Sequence, residues 1–213
     1  MENTEFEPIE PKKRNPLYGF IALFLAIALF FLSIEGYLYL IHPEPVDVPA
    51  LSSVQQFLPA DSGTPFSSYS SEDLKKVIVD TSDTTKQVAN YVASQSCKKA
   101  DQVCQSKALF NFVRDNIEYV SDPNFHDRLE NPLTVLKTGG ADCEDMAVLL
   151  LALEKSIGNE TRLVFIPGHA FAQIRVPNYK GDKWLNLEPT CKTCQFNELP
   201  DDSALAKKNY VEL

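Results

Sequence analysis

The sequence predicts an α+β fold in which helices come first along the chain and strands follow. The segments 83–95, 101–119 and 143–157 look helical, and the last two place their apolar residues on one face. Three shorter runs, TRLVFI, HAFAQIRV and KWLNLE, have the composition of strands and follow one another between residues 161 and 188. Because helices precede strands rather than alternate with them, the order indicates α+β. The length of 213 residues suits one compact domain with appendages.

The first element is an apolar run that predicts a transmembrane helix over residues 17–41. Eighteen consecutive residues, Leu17 to Ile34, carry no charge, and a bilayer core about 30 Å thick is crossed by about 20 helical residues. The cations at 12–14 precede the run, and the next Lys or Arg is Lys75. This asymmetry predicts a single-pass protein of the cell membrane with residues 1–16 in the cytoplasm and the rest extracytoplasmic. A cleaved signal peptide is the alternative, but its apolar region would be only about 7–15 residues long.

Residues 42–73 are predicted to form a stalk, and residues 74–213 the folded domain. The stalk segment contains five prolines and many serines, with no sustained apolar period. The whole chain has a formal net charge of −9, and its basic run is Lys12-Lys13-Arg14. A surface of that sign repels phosphate backbones, so nucleic-acid binding is excluded as a function class.

Capping residues mark where the predicted helices of the domain begin and end. Asp101 is an N-cap candidate for the helix over 101–119. Asn131-Pro132 starts a short helix that Gly139-Gly140 ends. Asp142 can cap the next helix, which Gly158-Asn159 stops. The spacing therefore predicts that Cys143 lies in the first turn of that helix.

The last two strands, 169–176 and 183–188, are predicted to form a hairpin closed by the turn PNYKGD. If Val176 lies opposite Lys183, then Phe171 lies opposite Glu188. His169 and Glu188 are then diagonal neighbours on the same face of the sheet, about 7–8 Å apart at the backbone. A glutamate side chain bridges that distance.

The five cysteines separate into four that can pair and one that is left over. An extracytoplasmic domain meets oxidising conditions, which favour disulfides among Cys97, Cys104, Cys191 and Cys194. Three connectivities are possible, and pairing within each local couple needs the least rearrangement. Zinc binding by the same four residues is the alternative, although the step from Cys97 to Cys104 is wide for a zinc knuckle.

Cys143 is the candidate nucleophile. Free N–H groups and the helix macrodipole at a first turn favour the thiolate form. The carboxylates of Asp142, Glu144 and Asp145 oppose it, so a histidine partner is needed. A small inert core residue is the alternative interpretation of a lone helix cysteine.

The three histidines of the chain are His42, His126 and His169. His42 lies at the predicted membrane edge and His126 in a polar loop, whereas His169 opens a strand beside Glu188. A carboxylate that orients an imidazole, which in turn deprotonates a thiol, is the arrangement of cysteine acyl transfer. A structural histidine is the alternative, and pattern alone does not bring Cys143 to the hairpin.

The segments GGADCEDMAVLLLALEKSIG, RLVFIPGHAFAQIRV and KWLNLEPT occur in this order and together resemble the transglutaminase-like superfamily of cysteine proteases and acyltransferases. The upstream FVRDNIEYVSDP and NPLTVLKTGG also fit, so the resemblance covers roughly residues 80–190. It implies a papain-like α+β fold with the cysteine helix packed on an antiparallel sheet. It also implies that Cys143 is the nucleophile, His169 the general base and Glu188 the orienting residue, a position at which the family usually has Asp.

The resemblance implies a membrane-anchored thiol enzyme that attacks a peptide or glutamine-type amide of a protein or peptide substrate and forms a thioester. Hydrolysis of the thioester, as in a protease or amidase, is favoured because it needs no amine site. A protein-crosslinking transglutaminase and a catalytically inactive binding or scaffold domain are the alternatives, and Glu188 keeps the second of them open.

No cofactor is required by this chemistry, although calcium is a secondary candidate. The triplet Asp142-Cys143-Glu144 is similar to that of calcium-dependent bacterial proteases of the same superfamily. Carboxylate oxygens suit calcium. The preferred interpretation is nevertheless a helix-capping Asp142 and a solvated Glu144.

Overall fold

The computed structural model describes residues 16–41, 44–60, 72, 74–76, 82–122, 128–177, 179, 181 and 183–212, with the side chains of the first helix described from 17 to 33. The chain divides into two compact units, Met1–His42 and Pro43–Leu213. The first unit contains helix α1 (Pro16–Ile41). In the part of the chain that the structure describes, no helix combines the length and the hydropathy needed to cross a bilayer. The transmembrane helix predicted over residues 17–41 is therefore not supported by the structure.

The second unit has a mixed helix and sheet fold, as the order of the predicted elements indicates. Its elements are α2 (Leu51–Gln55), α3 (Asp83–Ser96), α4 (Gln102–Asn116), β1 (Glu118–Tyr119), α5 (Pro132–Thr138), β2 (Gly140–Ala141), α6 (Cys143–Ser156), β3 (Glu160–Ile166), β4 (His169–Arg175), β5 (Leu185–Leu187), α7 (Asp201–Leu205) and β6 (Asn209–Glu212). Four strands form an antiparallel sheet in the order β5-β4-β3-β6, and β1 and β2 form a separate parallel pair.

The predicted caps are confirmed, and they define where the helices begin. The Asp101 carboxylate accepts the N–H of Cys104, which starts α4. The Asn131 side chain accepts the N–H of Leu133, and α5 then ends at Gly139, whose φ of 74° is left-handed. The Asp142 carboxylate accepts the N–H of Asp145, so Cys143 is the first residue of α6.

Helix α6 lies in the middle of the domain, between the other helices and the sheet. It packs on α3, α4 and α5 and on β3 and β4. Every residue from Cys143 to Glu154 is buried. A helix that is enclosed on all sides has no polar face, which explains why the run is apolar well beyond the predicted stripe.

The predicted hairpin has the expected register, although its second strand is shorter. Ala172 pairs with Leu187 and Ile174 with Leu185, the alignment that places Val176 opposite Lys183. Regular pairing in β5 covers Leu185–Leu187 rather than residues 183–188. On the other side of β3, strand β6 supplies an edge that the sequence patterns do not predict.

Part of the segment predicted as a stalk lies against the domain. The side chain of Val54 in α2 is fully buried in the core. Leu51 donates its N–H to the Asn116 side chain and packs close to Gly139, where a Cβ would come within 3.0 Å of the leucine side chain. Proline-rich composition misled the prediction, because isolated apolar residues in this segment are enough to dock it.

Replacing Val54 with alanine is expected to lower the free energy of unfolding by about 2 kcal/mol, because it leaves a cavity in the core. Denaturant unfolding of the variant and of Ser52→Ala, an exposed neighbour in the same helix, measures the difference. Equal stability of the two variants would show that residues 44–60 do not contribute to the core.

The four paired cysteines form the chain-local disulfides, Cys97 with Cys104 and Cys191 with Cys194. The first closes the turn between α3 and α4, and the second follows Glu188 within a few residues. Cys143 is the free cysteine, and it is buried.

A buried polar network ties the C-terminal end of α6 to α4 and β3. The amide of Asn159 donates to the Glu154 carboxylate (2.6 Å) and to the Ser106 hydroxyl (2.7 Å), and it accepts from Gln102 (2.8 Å). Burial raises the pKa of Glu154 from 4.5 to about 8, and the hydrogen bonds from Asn159 and Ser106 oppose that rise. Burial therefore favours the neutral form of the Glu154 carboxyl in the folded protein.

This raised pKa is expected to make the domain less stable as the pH rises from about 4.5 to about 8. In that window the unfolded chain releases the Glu154 proton while the folded chain keeps it, so ionisation favours unfolding. Glu154→Gln is expected to reduce the slope of stability against pH, measured by thermal unfolding between pH 5 and 8. An unchanged slope would show that Glu154 does not titrate abnormally; Glu160→Gln, an exposed carboxylate, is the control.

Candidate active site

Cys143 lies in the first turn of α6 against the beginning of β4. Its residue surface is 8% exposed, and the backbone N–H of Ala170 forms a hydrogen bond with its sulfur. Ala170 directly follows His169, so the packing of α6 on the sheet brings the thiol beside the histidine-bearing strand. Pattern analysis could not show this step, because it depends on tertiary packing.

His169 and Glu188 are in direct contact, as the hairpin register predicts. Nε2 of His169 lies 2.7 Å from Oε2 of Glu188. The other carboxylate oxygen accepts the Thr190 N–H (3.2 Å) and hydroxyl (2.6 Å), and Glu188 is 1% exposed. A carboxylate held in this way fixes the orientation of the imidazole. Because Nε2 is engaged, Nδ1 is the ring nitrogen left to exchange a proton with a thiol.

The surroundings of His169 favour its protonated form. The hydrogen bond to Glu188 raises the pKa of His169, burial opposes this, and the charges of Glu188 and Glu144 add to the rise. The imidazolium form is therefore stabilised relative to a free histidine.

The surroundings of Cys143 favour the protonated form of its thiol. Burial raises the pKa of Cys143 to about 12, with further contributions from the hydrogen bond and charge of Glu144, while the Ala170 N–H lowers it. The S–H group donates to Oε2 of Glu144 at 3.1 Å. Among the described residues, the hydrogen bonds of the thiol thus involve Glu144 and Ala170, and none joins it to His169. The three predicted residues are brought to one place, but the thiol faces a carboxylate.

The calcium candidates are both engaged elsewhere. Asp142 caps α6, and Glu144 is buried and accepts from the thiol rather than being solvated. Across the described ranges, no three His, Cys, Asp or Glu side chains are grouped so that they could hold a metal ion. These two carboxylates do not fit a calcium site on their own.

A cavity of about 450 Å³ lies between the end of β1 and the first turn of α6, and Cys143 is not among the residues that line it. Asp122, Glu130, Asp142 and Asp145 line it together with Arg128, which pairs with Asp122 and Glu130. Burial, and then the charge of Asp142, raise the pKa of Asp145 to about 8. The charged lining of the cavity therefore consists of four carboxyl groups and one guanidinium.

Tyr119 is a site residue that the sequence analysis did not assign. It lies on β1 and pairs with Ala141, the residue two positions before Cys143 in the chain. The Tyr119 residue is 53% exposed. Burial is the largest cause of the raised pKa of Tyr119, and the charges of Cys143, Asp142 and Glu144 raise it further. The segment FVRDNIEYVSDP belongs to the resemblance, but nothing in the pattern distinguished Tyr119 from its neighbours. His42 and His126 lie outside the described residues.

Comparison with known proteins gives a family match. Residues 86–189 match the transglutaminase-like superfamily, a range that contains Cys143, His169 and Glu188. No curated protein matches the sequence.

Several solved structures resemble the fold at low identity. One is a candidate protease from Parabacteroides distasonis ATCC 8503, with 14% identity, a TM-score of 0.42, and coverage of 54% of this chain and 25% of that chain. Legionella pneumophila LapG has 15% identity, a TM-score of 0.40, and coverage of 76% of this chain and 80% of that chain. A candidate cysteine protease from Cytophaga hutchinsonii has 15% identity, a TM-score of 0.43, and coverage of 70% of this chain and 55% of that chain. LapG is also known in calcium-bound and EGTA-treated forms. The chain spans a quarter of the Parabacteroides protein and about half of the Cytophaga protein.

The cysteine helix α6 packs on the antiparallel sheet, as the resemblance implies. Residues 86–189 of the chain are therefore similar to the transglutaminase-like superfamily.

Proposed function

We propose that the domain is a thiol hydrolase, a cysteine peptidase or amidase, in which Cys143 is the nucleophile, His169 the general base and Glu188 the residue that orients the histidine. The observation that carries this proposal is the 2.7 Å contact between His169 and a buried Glu188, with the thiol packed against the next residue of the same strand. A histidine required only for packing does not need a buried carboxylate fixed by Thr190.

The reaction begins when the Cys143 side chain turns from Glu144 towards Nδ1 of His169. The imidazole takes the thiol proton while the sulfur attacks the carbonyl carbon of the substrate amide. The carbonyl electron pair moves to oxygen, where the backbone N–H of Cys143 at the start of α6 stabilises it. On collapse, the C–N bond breaks, the amine takes the proton from His169, and a thioester on Cys143 remains.

Water completes the cycle. His169 removes a proton from water as the water oxygen attacks the thioester. The C–S bond then breaks and His169 returns the proton to the sulfur, which gives a carboxylic acid and the free thiol. An amine in place of water would give a new amide, which is the transglutaminase outcome. A neutral thiol with a pKa of about 12 cannot attack unaided, so transfer of its proton to His169 is the step on which activity depends.

Acetylation of the purified full-length chain by p-nitrophenyl acetate tests the proposal. The expected result is a single acetyl group on Cys143, found by mass spectrometry, which is lost to water and is absent in Cys143→Ala. Transfer of the acetyl group to added putrescine in preference to water would favour the transglutaminase. Acetylation no faster than that of a thiol in unfolded protein would show a scaffold domain instead.

We also propose that residues 17–41 anchor the domain at the cell membrane, with residues 1–16 in the cytoplasm and residues 42–213 outside. The uncharged run from Leu17 to Ile34 and the preceding cations support this placement. A protease added to intact cells is expected to digest the domain and leave an N-terminal fragment. Complete protection of the domain would contradict the placement.

A further inference from the structure

The Cys191–Cys194 disulfide closes a tight loop that follows the orienting carboxylate directly. Glu188, Pro189 and Thr190 lead into Cys191. Thr190 holds Oε1 of Glu188 through its N–H and its hydroxyl, and the N–H of Cys191 donates to the Glu188 carbonyl at 3.3 Å. Inside the loop, Cys194 donates its N–H to the Cys191 carbonyl at 3.1 Å. The disulfide loop therefore begins one residue after the one that fixes the Glu188 side chain.

The far end of the loop is attached to the C-terminal end of α4. Cys194 is 6% exposed, and its carbonyl accepts a hydrogen bond from the Arg114 guanidinium at 2.9 Å. Between the cysteines, the ammonium group of Lys192 donates to the carbonyls of Arg114 (2.6 Å) and Ile117 (2.8 Å). Carbonyls at the end of a helix have no partner within the helix and accept such donors. The loop thus connects Glu188 to a packed helix.

One of the two sulfurs belongs to a residue that a reductant can approach. Cys191 is partly exposed and its neighbours in the loop are exposed, whereas Cys194 is buried. A thiolate that attacks the Cys191 sulfur forms a mixed disulfide and releases Cys194 as a thiolate, which takes a proton. The second thiol of a dithiol then attacks the mixed disulfide, releases Cys191 and leaves as a disulfide. Two electrons and two protons pass from the reductant to the protein.

Reduction is expected to move the exposed end of the loop. Two thiols cannot stay at the separation of bonded sulfurs, and the close packing around Cys194 leaves Cys191 as the end that shifts. A shift of Cys191 acts on its neighbour Thr190, and through Thr190 on the carboxylate oxygen that it holds. Opening the ring also returns conformational freedom to the loop. Both effects loosen the contact between Glu188 and His169.

The other disulfide offers a matched comparison. Cys97–Cys104 closes the turn between α3 and α4, and Cys104 lies in the first turn of α4. Cys104 precedes Arg114 by ten residues, which is about 15 Å along a helix. This disulfide therefore lies at the opposite end of α4 from the loop that holds Glu188, and opening it should leave that carboxylate in place.

We propose that the Cys191–Cys194 disulfide is a redox-sensitive clamp on the candidate active site, closed when oxidised and opened by a dithiol reductant. In the closed form, Thr190 holds Glu188 against His169. In the open form the carboxylate moves, and the imidazole loses the orientation that proton transfer requires. The two cysteines are therefore positioning residues that act through Glu188. This inference rests on the proposed function and adds a means of regulating it.

Two double variants of the purified full-length chain test the clamp. Cys191→Ser/Cys194→Ser opens the loop without adding a thiol that competes for reagent, and Cys97→Ser/Cys104→Ser is the matched control. We expect acetylation of Cys143 by p-nitrophenyl acetate to fall about tenfold or more in the first variant, because a misoriented base is a poor proton acceptor. The control should keep the rate of the wild type.

NMR titration of the histidine ring signals separates positioning from a general loss of stability. The hydrogen bond to Glu188 raises the pKa of His169, so opening the clamp should lower that pKa, while the control variant should keep it. Comparison with His169→Ala identifies the signal, and thermal unfolding shows whether each variant is folded. A disulfide that only stabilises the fold would lower the melting temperature and leave the titration unchanged.

The redox step is tested in the Cys97→Ser/Cys104→Ser protein, which retains the Cys191–Cys194 disulfide. Dithiothreitol is expected to lower the pKa of the histidine and, after its removal in the absence of air, the acetylation rate of Cys143. Oxidised dithiothreitol should restore both. Peptide mass mapping counts only the acetyl group on Cys143 and confirms that the loop disulfide has opened. This experiment decides alone if the Cys191→Ser/Cys194→Ser variant does not fold.

The outcomes separate the clamp from the proposed function. If acetylation of Cys143 depends on His169, yet opening the loop changes neither the rate nor the titration, the clamp is wrong and the hydrolase proposal stands. A shifted titration with an unchanged rate would also contradict the clamp, as would a loop disulfide that dithiothreitol reduces only after the protein unfolds. If Cys143 is not acetylated at all, the hydrolase proposal fails, and the titration still decides whether the disulfide positions Glu188.

Discussion

Replacing His169 with alanine is expected to slow the acetylation of Cys143 by p-nitrophenyl acetate at pH 7 by about 100-fold or more, the usual effect of removing a general base. The physical reason is the thiol pKa of about 12. Without Nδ1 to take the proton, the sulfur has only the Ala170 N–H and the helix N-terminus to favour the thiolate, and Glu144 opposes both. The measurement is the rate of p-nitrophenol release together with the mass of the acetylated protein.

Variants of Glu188 grade the same effect. Glu188→Gln keeps the size and an acceptor but removes the charge that stabilises the imidazolium, so a small residual rate is expected. Glu188→Asp restores the usual family residue and should keep more activity than Glu188→Gln, because the charge is retained. Glu160→Gln, at the far end of β3, should match the wild type. Equal acetylation rates in the wild type and in His169→Ala would show that Cys143 and His169 are not coupled. The scaffold-domain interpretation would then replace the hydrolase interpretation.

Replacing Glu144 with glutamine is expected to make the resting thiol more reactive. The carboxylate accepts the S–H bond at 3.1 Å, and both this bond and its charge raise the pKa of Cys143. Removing the charge should lower that pKa by about one unit or more, which gives about tenfold more thiolate at pH 7. The rate of iodoacetamide alkylation between pH 6 and 10 measures the shift directly, because this small reagent needs no substrate site.

The matched control is Glu154→Gln, which neutralises a buried carboxyl on the same helix at the opposite end from the thiol. It should leave the alkylation profile of Cys143 unchanged. A Glu144→Gln profile identical to that of the wild type would show that the thiol is not held by Glu144 in solution. The variant also bears on calcium: if Glu144 were a required calcium ligand, its loss would lower acetylation activity and make it insensitive to EGTA.

The helix starts and the hairpin register could be predicted from the sequence. Helix starts were predictable because a cap acts over three residues: Asp101, Asn131 and Asp142 each accept an N–H just ahead of them. The hairpin register was predictable because a side-chain period of two and a short turn allow one alignment of His169 with Glu188. Both features follow from contacts between residues close in sequence.

Other features depend on segments far apart along the chain. The α2 segment was assigned to a stalk because its composition resembles a linker, yet Val54 is buried in the core. Strand β6 and the β1–β2 pair are too short to show a period. No local pattern predicts them, since each is formed by its pairing partner rather than by its own propensity.

The candidate site itself divides in the same way. The sequence by itself indicated the residues that we propose carry the chemistry, because a capped first turn, a strand histidine and a carboxylate in hairpin register are local properties. The tertiary structure alone decided where the thiol points. Packing of α6 on β4 places the sulfur against Ala170, in a buried environment where Glu144, rather than His169, accepts the hydrogen bond of the thiol. Burial and the distance between two packed elements set that balance, and neither quantity is encoded in any short stretch of sequence.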